Sequence, residues 1–179
     1  KSRYGSLLEI PGLVLPEGSS VVPAPLDFST VPFPYDDLGE FKNKIIYYES
    51  SRGCPFRCSY CLSSIDKTVR FRNMELVMRE LQYFLDHNVP QVKFIDRTFN
   101  CSPSRAVEIW KYLADHDNGI TNFHFEIAAE LLGREELELL KTMRPGLLQL
   151  EIGVQSTNPE TLREINRPAD PEKIACIVK

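Results

Sequence analysis

The chain has 179 residues, 42% of them hydrophobic and 26% charged, a composition that supports one sizeable globular core. A formal charge of −4 argues against a general nucleic-acid-binding surface, which needs a basic face. No apolar run approaches the roughly 20 residues that span a bilayer, no secretory signal opens the chain, and five cysteines fit a reducing compartment better than a disulfide framework. The expectation is a cytoplasmic protein with no membrane partner.

Residues 1–43 carry Pro11, Pro16, Pro23, Pro25, Pro32 and Pro34 in a stretch without helical period. Proline fixes φ and removes a backbone donor, so this part is neither a central strand nor a long helix. Leu13 to Leu15 and Val21 to Val22 flank Pro16-Glu17-Gly18-Ser19 in the manner of a short edge hairpin. Phe28, Phe33, Tyr35 and Phe41 make the stretch too aromatic for a free linker, and predict an extended strap lying on the main domain.

From Lys44 the pattern becomes regular. Ile45 to Ser50 reads as a buried strand, Met74 to Asn88 as a helix capped by Asn73, and Val92 to Asp96 as the next strand. A helix from about Ser104 to His116 begins with Ser102 as cap and Pro103 in its first turn. Asn122 to Ile127 alternates as a strand, Glu135 to Met143 is helical, Leu147 to Gly153 is a strand, and Asn158-Pro159-Glu160 opens a helix to about Ile165. A further helical approach runs from Pro171 to Lys179, and both ends of the chain look cut. Strand and helix alternate four times, which predicts an α/β fold with right-handed βαβ units, a parallel sheet and helices outside.

Between the first strand and the first helix stand Cys54, Cys58 and Cys61 in a Cys-x3-Cys-x2-Cys run. Thiolates suit iron–sulfur clusters and zinc. Structural zinc sites and electron-transfer clusters usually take four ligands, so three cysteines leave one metal corner open. A zinc knuckle would need a fourth ligand from Cys101, Cys176, His87, His116 or His124, none of which has a local ligand-pair spacing.

The run Cys54-Pro55-Phe56-Arg57-Cys58-Ser59-Tyr60-Cys61 closely resembles the signature of the radical S-adenosylmethionine (SAM) enzymes. That resemblance implies a partial (βα)6 barrel, of which residues 44–179 supply four units and are C-terminally incomplete, preceded by the Pro-rich strap of residues 1–43. It also implies that Cys54, Cys58 and Cys61 bind a [4Fe–4S] cluster whose free iron chelates SAM, generating a 5′-deoxyadenosyl radical for an unidentified substrate. An electron donor such as flavodoxin or ferredoxin follows as a partner; nucleic acid does not. The strap, with Leu26-Asp27 and Pro32-Phe33-Pro34-Tyr35, resembles the connector after the cobalamin-binding domain of one subfamily, which implies cobalamin in an N-terminal domain of a longer protein. The alternative is a non-catalytic iron–sulfur or zinc-binding module, structural or electron-transferring, built on the same cysteines.

Parallel α/β folds bind ligands at the carboxyl ends of their strands, which places the remaining site residues. The resemblance implies Asp96 for the SAM amino group, Glu126 for the ribose with Glu130 as its alternative, and Gly153 and Gln155 flanking SAM. It further implies Arg167 for the SAM carboxylate and Tyr60 over the adenine or beside the cluster. Plainer roles stand beside these. Asp96 also suits a cap for the following helix or an ion pair with Arg97, Gln155 and Arg167 suit solvated positions, and Arg134 to Glu138 reads as a solvated helix face.

Overall fold

The computed structural model describes residues 10–16, 18–19, 23–65 and 68–178. Four apolar, β-rich segments form its sheet: β1 (Ile46–Tyr48), β2 (Gln91–Phe94), β3 (Asn122–Ile127) and β4 (Leu148–Ile152). They pair in that order and all are parallel. Tyr47 lies opposite Lys93, Lys93 opposite His124, His124 opposite Gln149, and Glu126 opposite Glu151.

Because each strand lies beside its neighbour in sequence, right-handed crossovers put every connecting helix on the same side. Those helices are α1 (Met74–Asp86), α2 (Pro103–Asp115) and α3 (Arg134–Thr142), and this winding is that of a barrel. Beneath them Ile46, Tyr48, Val92, Phe94, Phe123, Phe125 and Ile127 meet Val77, Leu81, Phe84, Ile109, Trp110 and Leu113 in one core. Phe125 sits at its centre, with ring centroids 4.3 Å from both Phe94 and Phe99. The other face of the sheet carries Tyr47, Gln91, Lys93, Asn122, His124, Glu126, Gln149 and Glu151.

Asn73 caps α1 as expected, its side chain accepting from the Glu75 and Leu76 amides, and Asn88 ends the helix in a left-handed conformation at φ 50°. Ser102 precedes α2 without a side-chain cap bond, so Pro103 alone marks that start. Glu136 departs from the solvated face expected of its helix. It is buried, and its carboxylate accepts from the Gly133 amide at 3.2 Å, holding the start of α3. Two more helices follow, α4 (Pro159–Glu164), capped by Asn158, and α5 (Pro171–Ile177), capped by Asp170.

The first strand is shorter than its apolar run. Its ladder stops at Tyr48, and Ser51–Arg52 then pairs antiparallel with Arg70–Phe71, closing the base of the cysteine loop. Gly53 makes the turn possible: at φ +105° a Cβ there would stand 2.3 Å from the Thr68 carbonyl oxygen. In the Pro-rich stretch a hairpin forms but is tighter than expected: Val14–Leu15 pairs with Gly18–Ser19, two residues expected in the turn, while Glu17, Val21 and Val22 lie outside the described residues.

Farther along, the stretch lies against the helical layer. The Phe33 ring meets Tyr83 and Phe84, Tyr35 meets Phe84, and the Tyr35 hydroxyl donates to the Tyr47 carbonyl. Arg72 fastens it from below, donating to the carbonyls of Phe28 and Val31 at 2.9 and 3.0 Å. The same guanidinium pairs with buried Glu80 at 2.6 Å, and Glu80 also accepts from the Tyr48 hydroxyl. Among the described residues no helix is long and apolar enough to cross a membrane.

Candidate active site

The carboxyl ends of the four strands converge on the cysteine loop. Cys54 and Cys58 are buried and Cys61 is half-buried. The loop is anchored from two directions. The Cys54 Sγ lies 3.5 Å from the Thr98 hydroxyl after β2, and the end of α4 holds the middle of the loop. There the Ser59 amide donates to the Ile165 carbonyl at 2.9 Å, and the Asn166 side-chain amide donates to the Arg57 carbonyl at 2.9 Å. Asn166 takes a left-handed backbone, which asparagine tolerates, so the chain turns at once into Arg167.

A cleft of two adjoining cavities, about 190 and 170 Å3, opens along this convergence. All three cysteines and Tyr60 wall the first, Gly153 and Glu151 the second, and both are shared by Phe56, Arg97, Thr98, Glu126, Gln155 and Arg167. Of the residues read from sequence, Tyr60, Glu126, Gly153, Gln155 and Arg167 therefore meet in one place with the cysteines. The Gln155 amide folds back over Gly153; a Cβ there would stand 2.7 Å from Gln155 Nε2 and displace that side chain.

Asp96 does not join them. Its carboxylate is 1% exposed and already accepts from the Ser50 amide at 2.8 Å, the Ser50 hydroxyl at 2.7 Å and the Ser51 hydroxyl at 2.5 Å. Neither expected plain role holds, since it neither caps a helix nor pairs with Arg97. Asp96 ties the end of β2 to the end of β1 just before the cysteine loop. Burial raises its pKa to about 6, against the pull of the serine hydrogen bonds. Arg105 supports the same node, donating to the Ser50 carbonyl at 3.3 Å.

Arg167 is enclosed. Its guanidinium lies 5.5 Å from the centroid of the Phe56 ring, and one Nη donates to the Gly153 carbonyl at 2.9 Å. Its Nε is buried without a partner, and Glu130, 3.9 Å from that same Nη, has both carboxylate oxygens buried and unbonded. A buried cation with a free donor needs an acceptor, and a SAM carboxylate fits that requirement. Glu130 stands behind Arg167 and not on the cleft wall, whereas Glu126 lines both cavities.

Arg97 and Thr98 line the cleft although sequence reasoning gave them no ligand role. The signal available was their position directly after a strand end. Arg52, just before Gly53, instead pairs with Glu49 and lies over the Phe28 ring. His87 and His116 each contact a tyrosine carbonyl one helical turn back, far from any ligand role. Cys101, after β2, has its thiol pKa raised by burial, with the charges of Asp96 and Cys54 adding to the effect. Among the described residues no three of His, Cys, Asp and Glu stand close enough together to hold a single metal ion.

Comparison with known proteins agrees with this geometry. An uncharacterized methyltransferase of Pyrococcus horikoshii is 27% identical over 134 residues, covering 73% of this chain and 28% of its own length. The hopanoid C-3 methylase of Methylococcus capsulatus is 23% identical over 177 residues, covering 93% of this chain and 33% of its own. The chain thus spans about a third or less of these relatives. The radical SAM methyltransferase TsrM of Kitasatospora setae, solved with tryptophan substrate and aza-SAM, superposes with a TM-score of 0.73 at 18% identity over 97% of this chain and 38% of its own. A second structure of that enzyme, with cobalamin and a [4Fe–4S] cluster, superposes with a TM-score of 0.63 at 18% identity, over 83% of this chain and 29% of its own. The family model of the radical SAM superfamily matches residues 48–179, which begin at the end of β1 and take in the cysteine loop, the cleft and the rest of the sheet, and the chain belongs to that superfamily.

Proposed function

We propose that the chain is the SAM-binding core of a longer, cobalamin-dependent radical SAM enzyme, with residues 1–43 as connector and 44–179 as the barrel portion. The superfamily implies a [4Fe–4S] cluster and SAM. The names of the relatives support methyl transfer as the reaction class, and TsrM's bound cobalamin supports a cobalamin-dependent whole. When bound, the cluster supplies one electron, drawn from a donor such as flavodoxin or ferredoxin, that splits SAM into methionine and a 5′-deoxyadenosyl radical.

The chain's own residues bind and orient. Cys54, Cys58 and Cys61 hold three corners of the cluster. Arg167 takes the SAM carboxylate through its free Nε, with the Phe56 ring fixing the plane of the fork and Glu130 balancing its charge. Glu126 accepts from the ribose hydroxyls, Gly153 and Gln155 close the side of the cleft, and Tyr60 covers the adenine. Asp96 sets the height of the cysteine loop through Ser50 and Ser51.

The observation that carries this reading is the buried, partly unsatisfied Arg167 sharing one cleft wall with all three cysteines. Anaerobic reconstitution should give about four irons and four sulfides per chain, lost on Cys58→Ala. Arg167→Lys should keep the iron yet weaken SAM binding about tenfold or more by calorimetry, because lysine cannot present the fork. Tetrahedral zinc that resists replacement by iron, seen by X-ray absorption, overturns the assignment.

A further inference from the structure

The face of the sheet away from the helices carries a polar pattern that extends beyond the residues assigned to SAM. A closed (βα) barrel fills its interior with bulky branched side chains from that face. Here the register lines up Lys93, His124 and Gln149 in one row and Glu126 and Glu151 in the next, with Gln91 and Asn122 below. Those strands place a polar residue at each of these inward positions, while their opposite face is apolar. Such a surface does not make a dry core; it fits a polar molecule.

Within it, Glu151 accepts from the Lys93 ammonium at 3.2 Å, and this bond, helped by the Lys93 and His124 charges, holds its carboxyl below the usual range. His124 Nε2 lies buried 3.0 Å from the same carboxylate and steadies it from beneath. Glu151 also lines the second cavity of the cleft, and Lys93 lies 3.8 Å from Glu126, so the cluster adjoins the site where SAM would sit.

Resting on the radical SAM reading, we propose that Lys93, His124 and Glu151 form the substrate-recognition floor of the enzyme. The substrate is a polar molecule bearing both a hydrogen-bond donor and an acceptor, and not a hydrocarbon. Lys93 donates and Glu151 accepts, while His124, buried beside the Glu151 carboxylate, positions it. A site of this kind rejects an analogue without matching polar groups, because binding it would strip water from Lys93 and Glu151 and give them no partner in exchange.

The test uses the full-length protein, reconstituted anaerobically and supplied with SAM and reductant. An extract of its native host is divided by chloroform–methanol–water partition, and each phase is added separately. Consumption of SAM is read as 5′-deoxyadenosine plus S-adenosylhomocysteine. The aqueous phase should raise consumption, and Lys93→Met with His124→Phe should reduce that rise by about a hundredfold or more. Iron content should be kept, and the ligand-free melting temperature should stay within about 4 °C of the parent. A rise with the chloroform phase, a rise with neither phase, or an aqueous rise that survives both substitutions overturns the proposal. So does a larger drop in melting temperature, which would assign the cluster to holding the sheet together. Wild-type protein that takes up neither iron nor SAM removes the radical SAM reading itself, a result distinct from these.

Discussion

Asp96 shows how a single buried carboxylate can brace the cysteine loop from outside the cleft. It supplies the acceptors for three donors on the two residues where β1 gives way to the cysteine loop, and a neutral group would change that balance. Its carboxyl titrates near 3.8 in the unfolded chain and at about 6 in the folded one. The folded state therefore holds the proton more tightly. The stability this gives is complete below pH 4 and is lost as the pH rises through about 6. Asp96→Asn keeps the shape and removes the titration. The stability of wild type relative to that variant, from urea unfolding, should fall on the order of 3 kcal/mol between pH 4 and pH 7. A difference that stays flat, or rises, would show that the serine donors outweigh burial.

At the scale of elements, the buried Arg72–Glu80 pair joins three parts of the chain. Arg72 follows the short strand Arg70–Phe71, Glu80 lies on α1, and the guanidinium also holds the carbonyls of Phe28 and Val31 in the Pro-rich stretch. Removing one partner leaves the other charge buried, which costs about 3–5 kcal/mol in comparable pairs. Arg72→Met should lower stability by that amount and, since it also frees two strap carbonyls, should open residues 28–41 to limited proteolysis. Lost stability with an unchanged cleavage pattern would mean that the Phe33, Tyr35 and Phe84 contacts hold the strap by themselves.

The whole molecule is a sheet with two unequal edges. β1 is covered at its edge by the strap, through the Tyr35 hydroxyl on the Tyr47 carbonyl, whereas β4 pairs only with β3 among the described strands. Its apolar residues Leu148, Leu150 and Ile152 are half-buried, while Phe123 and Phe125 on β3 are fully enclosed. Unpaired edges attract further strands. In the 179-residue chain, amide exchange along β4 should be much faster than along β3, and in a longer chain that pairs with β4 the two should become alike. Equal protection in the short chain would show that its edge is already covered, for instance by self-association.

What the sequence by itself determined is local. The cysteine triplet is legible because its ligands sit within eight consecutive residues, and the strands and helices because side-chain period follows backbone geometry over a few turns. The barrel winding came with the family resemblance, since alternating strands and helices also fit an open, doubly wound sheet. The site beyond the cysteines was decided by tertiary contacts. Glu126 and Gln155 stand near strand ends and Arg167 just after α4, each with polar chemistry suited to a ligand, but only folding brings Arg167 onto Phe56 and leaves its Nε unpartnered. Asp96 had that chemistry as well and was taken for a different purpose, because donors 45 and 46 residues away reach it first. Arg97 and Thr98 became wall residues for the same reason in reverse. A side chain's composition states what it can bond, and the packing around it settles which of those bonds remain free for a ligand.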